Sequence, residues 1–273
     1  MATDPTPTSI GGKQLLAQVS LTPAEGKRLI AKAIAHMAVV KDAMENGTII
    51  VTTGTTDAYV LEELLGKPIK EKGFFTAGVV TGEGLEMTEP KLRGDPHIIQ
   101  KGKARTVKLP EILETLKTMG PGDIFVKGAN AIDPFGAAGI LLGGDGGGTI
   151  GAAWGYLTAN GIMTIIPAGL EKLVPINIHD AVHRMGQKKV DISLDVKCGM
   201  MVVSGYIITE MEAFKELFGI DVLPIGGGGI DGAEGAKIFL LDGEDEFIKE
   251  AVEAVKAIRG ELRLTTKTLK SKS

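Results

Sequence analysis

A chain of 273 residues, 44 % hydrophobic and 23 % charged, is long enough to bury the core of one α/β domain without a disulfide or a structural metal. Its single cysteine, Cys198, excludes an intramolecular disulfide and a multi-cysteine metal or iron–sulfur site, and fits a reducing, cytoplasmic compartment. The net charge is −4 and the basic residues are scattered apart from the tail Lys267, Lys270 and Lys272, so neither a nucleic-acid partner nor, with no apolar run of about eighteen residues, a membrane span is expected.

The Thr/Pro-rich residues 1–10 lack the basic start and apolar centre of a signal peptide. They and residues 263–273 are expected to be flexible ends of a single α/β domain over 11–262. A helix over 23–43 is announced by Thr22-Pro23-Ala24-Glu25, a capping box with proline at the first helical position. Asn46-Gly47 stops it. The β-branched run 48–53 predicts a buried strand, followed by a turn at Gly54 and a helix from Ala58. Residues 73–109 are charged and broken by Gly82, Pro90, Gly94 and Pro96, which reads as a β-rich insertion or flap. Helix 110–119, strand 124–127, strand 139–142, helix 149–159 and strand 162–166 then alternate. That rhythm predicts a mainly parallel, Rossmann-like sheet with helices on both faces. Residues 196–262 continue in kind and fit a small α+β C-terminal lobe.

The 38 glycines gather in turns, not in a low-complexity linker. In an open α/β sheet ligands bind beyond the carboxyl ends of the strands, and three such loops are chemically rich. In Thr52-Thr53-Gly54-Thr55-Thr56, Gly54 permits a sharp turn and the hydroxyls of Thr55 and Thr56 join the free amides of a helix start. Such a loop cradles an anion, or its threonines simply cap the helix. The loop Lys127-Gly128-Ala129-Asn130-Ala131-Ile132-Asp133 can present Asn130 and Asp133 to a ligand, although Asp133-Pro134 also reads as an ordinary turn. The third loop sets Gly143, Gly144, Gly146, Gly147 and Gly148 around Asp145, a density that suits close approach of backbone to a ligand or to a neighbouring loop. Asp145 is the acid/base candidate in it.

Gly146-x-Gly148-x-x-Gly151 has the spacing of the dinucleotide fingerprint, but the next strand ends in Ile165-Ile166-Pro167, where a ribose-binding acid should stand. An NAD(P) site is therefore not expected, nor any other cofactor. His179 and His183 are four apart on a predicted helix but lack a third ligand, so a solvated face is the expectation and no metal site is assigned.

The Thr53-Gly54-Thr55-Thr56 loop after a first strand, the loop from Lys127 to Asp133 and the run Leu141-Leu142-Gly143-Gly144-Asp145-Gly146-Gly147-Gly148 resemble, in order and spacing, the superfamily of ribose-5-phosphate isomerase, glucosamine-6-phosphate deaminase and CoA-transferases. Residues 165–175 are similar to its lactate-utilisation-type members, and the likeness covers 48–185. It implies that Gly54, Thr55 and Thr56 hold a phosphate or comparable anion, that Gly128, Asn130 and the 143–148 loop face the substrate, and that Lys172 lies nearby. The chain departs from the isomerase by carrying Lys127 and Asn130 in place of acids and by having no glutamate in 149–156, which argues against sugar-phosphate isomerisation by that route. Asp57, at the helix start, is expected to repel a dianion. The resulting expectation is an enzyme acting on a small anionic metabolite of phosphosugar, carboxylate or acyl-CoA type, with a non-catalytic ligand-binding or regulatory protein on the same fold as the alternative and an NAD(P)-dependent oxidoreductase as the third reading; a homo-oligomer is compatible with each.

Overall fold

The computed structural model describes residues 12–266. The proline-rich start and the tail lysines Lys267, Lys270 and Lys272 lie outside them. The chain opens with strand β1 (Gln14–Leu21), helix α1 (Pro23–His36) and helix α2 (Ala38–Asn46), then β2 (Thr48–Val51) and α3 (Thr55–Leu65). Two hairpins follow, β3 (Gly78–Thr81) with β4 (Gly84–Met87), and β5 (His97–Gln100) with β6 (Lys103–Thr106). Next come α4 (Leu109–Leu116), β7 (Ile124–Val126), β8 (Ala131–Ile132), β9 (Ala138–Leu142), α5 (Gly148–Ala159), β10 (Met163–Pro167) and α6 (Ile178–Val182). The last third contains β11 (Gly199–Val203), β12 (Tyr206–Ile208), α7 (Glu210–Phe218), β13 (Asp221–Gly228), β14 (Ala236–Glu244) and α8 (Asp245–Ile258).

The fold is mixed α/β around a six-stranded sheet of order β12-β10-β7-β2-β5-β6. The expected parallel arrangement holds for β12, β10, β7 and β2, where Ile50, Phe125 and Thr164 lie side by side. Their continuous apolar runs suit strands covered on both faces: Ile49, Ile50, Val51 and Phe125 are fully buried. The expectation of a mainly parallel protein fails elsewhere. Seven of the ten strand pairings are antiparallel, because hairpins and long-range antiparallel partners supply the other sheets.

Three expected boundaries also change. The 73–109 segment is only partly a flap: β3 and β4 form a separate hairpin, whereas β5 pairs with β2 and extends the main sheet, Ile99 beside Ile49. No separate lobe forms over 196–262, since β12 edges the main sheet, β11 pairs with β9, and β14 pairs with β1 across most of the chain, Val19 opposite Phe239. One apolar core runs from Val19 to Ile258 through all of these elements. The segment expected to be a single helix over 23–43 breaks at Met37, whose extended backbone (φ −51, ψ 131) separates α1 from α2. The capping box is formed as expected, the Glu25 amide donating to Thr22 Oγ1 at 3.2 Å and the Thr22 amide to Glu25 Oε2 at 2.9 Å.

Candidate functional site

Parallel pairing of β2 and β7 sends the loops that follow them off the same side of the sheet. They are tied at the root, where the Thr52 amide and Oγ1 both donate to the Val126 carbonyl at 3.1 and 3.0 Å. Further out, Lys127 Nζ donates to the Thr53 carbonyl at 3.1 Å and the Gly128 amide donates to Asp57 Oδ2 at 3.2 Å. A third segment, 168–174, leaves β10 beside them. Together they floor a cavity of about 1200 Å³.

Gly54, Thr55, Thr56, Gly128, Asn130, Gly143, Gly144, Gly147, Gly148 and Lys172 all line this cavity. Two members of the sequence-derived set do not: Asp145 and Gly146 are exposed on the outer side of the glycine loop, away from the cavity wall. Asp145, the acid/base candidate, thus lies outside the cavity lining. Gly146, Gly147 and Gly148 all adopt positive φ (61°, 80° and 59°), backbone that glycine allows, and α5 starts directly after them at the cavity. The route by which this loop reaches Thr55 also differs from expectation, since β9 belongs to a three-stranded antiparallel sheet with β8 and β11 and not to the parallel sheet.

The start of α3 is capped by Gly54 and that of α5 by Gly147, neither with a side-chain hydrogen bond. The threonines thus do not serve as conventional caps, and both helix N-termini present backbone amides at the cavity. Asn130 is positioned by its own side chain, whose Oδ1 accepts from the Leu141 amide at 2.9 Å. Asp133 is the ordinary turn residue: buried, its carboxylate accepts from the amides of Phe135, Ala137 and Ile178, each at 2.9 Å. Burial disfavours its charge, but those amides outweigh it and hold the carboxyl below the usual range. His179 and His183 are exposed, and among the described residues no group of three His, Cys, Asp or Glu side chains converges as metal ligands would.

The charges on the cavity wall are one-sided. Lys27, Arg93, Lys108, Lys127, Lys172 and Arg263 face it against only Asp95 and Glu171, although the chain as a whole is acidic. Lys108 is paired with Asp95 and Lys27 with Glu171. Lys172 has no hydrogen-bond or ion-pair partner among the described residues, and Arg93 Nε is buried without one. Burial pushes the ammonium groups of Lys127 and Lys172 below their ordinary value, with Asp57 opposing the shift at Lys127 and Glu171 opposing it at Lys172.

Asp57 does not stand in the cavity to repel a ligand, as its place at the helix start suggested. It is fully buried behind the wall and staples the 127–130 loop to α3. Burial raises its carboxyl, and Lys127 with the Gly128 amide opposes that. A β-carbon on Gly54 would overlap Asp57 Oδ2, which is why glycine stands there although its backbone is extended.

Sequence reasoning overlooked Lys27, Glu171 and Glu210. Glu171 reaches the cavity from a 3-10 turn over Leu170–Lys172, and Lys27 from α1 bonds its Oε1. The far wall is made by the β3–β4 hairpin, residues 93–96, Cys198 and residues 263–266. Part of the expected flexible tail is therefore packed: Leu264 contacts the core, and the Thr265 carbonyl sits against Gly73. In comparison with known proteins, the chain matches no family model and no curated relative.

Proposed function

We propose that the chain is an enzyme whose cavity binds a small metabolite carrying one carboxylate or phosphate, alone or as part of an acyl-CoA-type molecule. The observation that carries this is that two helix N-termini without side-chain cap hydrogen bonds, and Lys172 without a hydrogen-bond or ion-pair partner among the described residues, line one cavity. Helix N-termini and ammonium groups favour the same ligand charge, and they do so most strongly where water is partly excluded. A lysine with no hydrogen-bond or ion-pair partner of its own among the described residues gains one when an anion arrives. The volume, about 1200 Å³, exceeds what phosphate or acetate fills and leaves room for the body of a larger metabolite. The likeness of the three loops to the isomerase, deaminase and CoA-transferase superfamily supports the same ligand class, and with it a Rossmann-like descent of the four parallel strands.

Calorimetric titration with inorganic phosphate, pyruvate and acetyl-CoA tests this. At least one should bind with an affinity that falls as salt rises, and Lys172→Met should weaken it about tenfold or more, the worth of one charge-assisted hydrogen bond. Absence of binding by all three, or affinity indifferent to Lys172→Met, contradicts the proposal.

A further inference from the structure

The 3-10 turn that carries Glu171 and Lys172 into the cavity rests on α7 through Glu210. Glu210 is 3 % exposed, and its Oε2 accepts the Leu170 amide at 2.8 Å. Its other oxygen points back toward α1 and the 168–172 turn. A β-carbon on Gly169 would overlap Glu171 Oε2 and stand 3.0 Å from Glu210 Oε1, so the two carboxyl groups meet over one glycine α-carbon. Gly26 on α1 leaves the space that Glu210 Oε1 occupies. Glu171 Oε1 is held by Lys27, while Glu171 Oε2 is buried with no hydrogen-bond partner among the described residues. An unpartnered buried carboxylate oxygen beside a second buried carboxyl is unfavourable if both are ionised, and is satisfied if one proton lies between them.

We propose that Glu171 and Glu210 form one acid/base unit holding a single proton, and that Glu171 exchanges a proton with a carbonyl compound bound in the cavity. This rests on the anion-binding role of the cavity. Only Glu171 of the pair lines the cavity. Glu210 carries the resting proton on Oε1 and shares it with Glu171 Oε2, leaving Glu171 the anionic base. In the step itself a C–H bond beside the ligand's carbonyl breaks, its proton passes to the Glu171 carboxylate, and its electron pair becomes the C=C bond of an enolate. The negative charge that develops on the carbonyl oxygen is stabilised by the unpaired Lys172. Return of the proton from Glu171 to the same carbon re-forms the carbonyl and closes the cycle, and no oxidant or second substrate is consumed.

The surrounding charges agree with this division of labour. Burial, then the neighbouring Glu171, pushes Glu210 up to about 7. Burial also works against Glu171, but Lys27 from α1 and the adjacent Lys172 outweigh it and keep that carboxyl below its ordinary value. Lys172 in turn faces Lys27, Glu171, Asp57 and Lys127. A carboxyl poised near neutrality beside an ionised one is the arrangement general acid–base catalysis uses.

Carboxyl-¹³C glutamate labelling followed by NMR titration of the ligand-free protein reads the pair, with Glu171→Gln and Glu210→Gln assigning the signals. Glu210 should titrate near neutrality in the parent and about one pH unit or more lower in Glu171→Gln, where the like charge is gone. An unchanged Glu210 titration overturns the shared proton. Incubation with pyruvate and with dihydroxyacetone phosphate in D2O, followed by proton NMR, reads the chemistry. At least one should exchange its C–H protons, and Glu171→Gln should slow that by about a hundredfold, within the usual range for a lost acid–base group. Glu171→Asp keeps the charge but withdraws the carboxylate; it should slow exchange while leaving the Glu210 titration in place, and it serves should Glu171→Gln fail to fold. Calorimetry on the same two probes separates the failures. If neither binds, the cavity assignment falls and this proposal with it; if either binds but neither exchanges, only the acid/base role falls.

Discussion

Replacing Glu210 by glutamine should change how stability depends on pH more than it changes stability itself. In the folded protein burial and Glu171 raise the Glu210 carboxyl from its ordinary 4.5 to about 7. Below pH 4.5 the group is protonated in folded and unfolded chains alike, and its favourable state is fully retained. Between 4.5 and about 7 the unfolded chain gives up the proton while the folded chain keeps it, so stability falls as pH rises. At about 1.4 kcal/mol per pH unit, the loss reaches about 3 kcal/mol above pH 7. Glutamine has no charge to bury, keeps an oxygen for the Leu170 amide, and offers its NH2 group to Glu171 Oε2. Glu210→Gln should therefore match the parent within about 1 kcal/mol at low pH and exceed it by about 3 kcal/mol at alkaline pH. Urea unfolding of both proteins at about pH 4.5, 6 and 8 measures this, and carboxylates that titrate equally in the two cancel in the difference. A parent–variant difference that stays flat across that range would refute the reasoning.

The double variant Thr55→Val with Thr56→Val keeps shape, removes both hydroxyls and should weaken anion binding by about 1–3 kcal/mol with the urea midpoint unchanged; equal affinity would remove the threonines from the site. Gly54→Ala sets a β-carbon against Asp57 Oδ2 and should lower stability by about 1–3 kcal/mol in thermal unfolding, because the side chain that staples Gly128 must move. A parent-like Tm would mean that Asp57 relocates without cost. Arg28, 14 % exposed at its side chain, bonds Glu62, Glu63 and Glu261 and lies 4.8 Å over the Tyr59 ring. Arg28→Met should free residues 261–266 from the cavity wall, seen as faster amide exchange there than in α1 or β2, at a cost of about 3–5 kcal/mol for stranding the partly buried carboxylates. Uniform protection in the variant would show that Leu264 packing alone holds the segment.

Features with a short-range chemical cause were legible in the amino-acid order. The capping box of Thr22 and Glu25 needs only residues three apart, and it formed. The all-apolar run of β2 and the glycine loop before α5 are likewise local, and the loops expected to line a site share one cavity, although Gly54 itself is extended and makes no sharp turn. What local pattern left undecided is what each group meets. The strand Gln14–Leu21 alternates too weakly to stand out alone and is secured by β14, more than 200 residues away. Asp57 and Asp145 look equally available in the chain, yet one is buried as a staple and the other exposed in the glycine loop. Glu171 and Glu210 are 39 positions apart with no motif between them, and their meeting depends on β10 and β12 being parallel neighbours, which brings the turn after one strand onto the helix after the other. Backbone preference and hydrophobic periodicity act over a few residues and are written in the sequence, whereas desolvation and charge proximity act through space, so which carboxyl groups are buried together was decided by the tertiary structure.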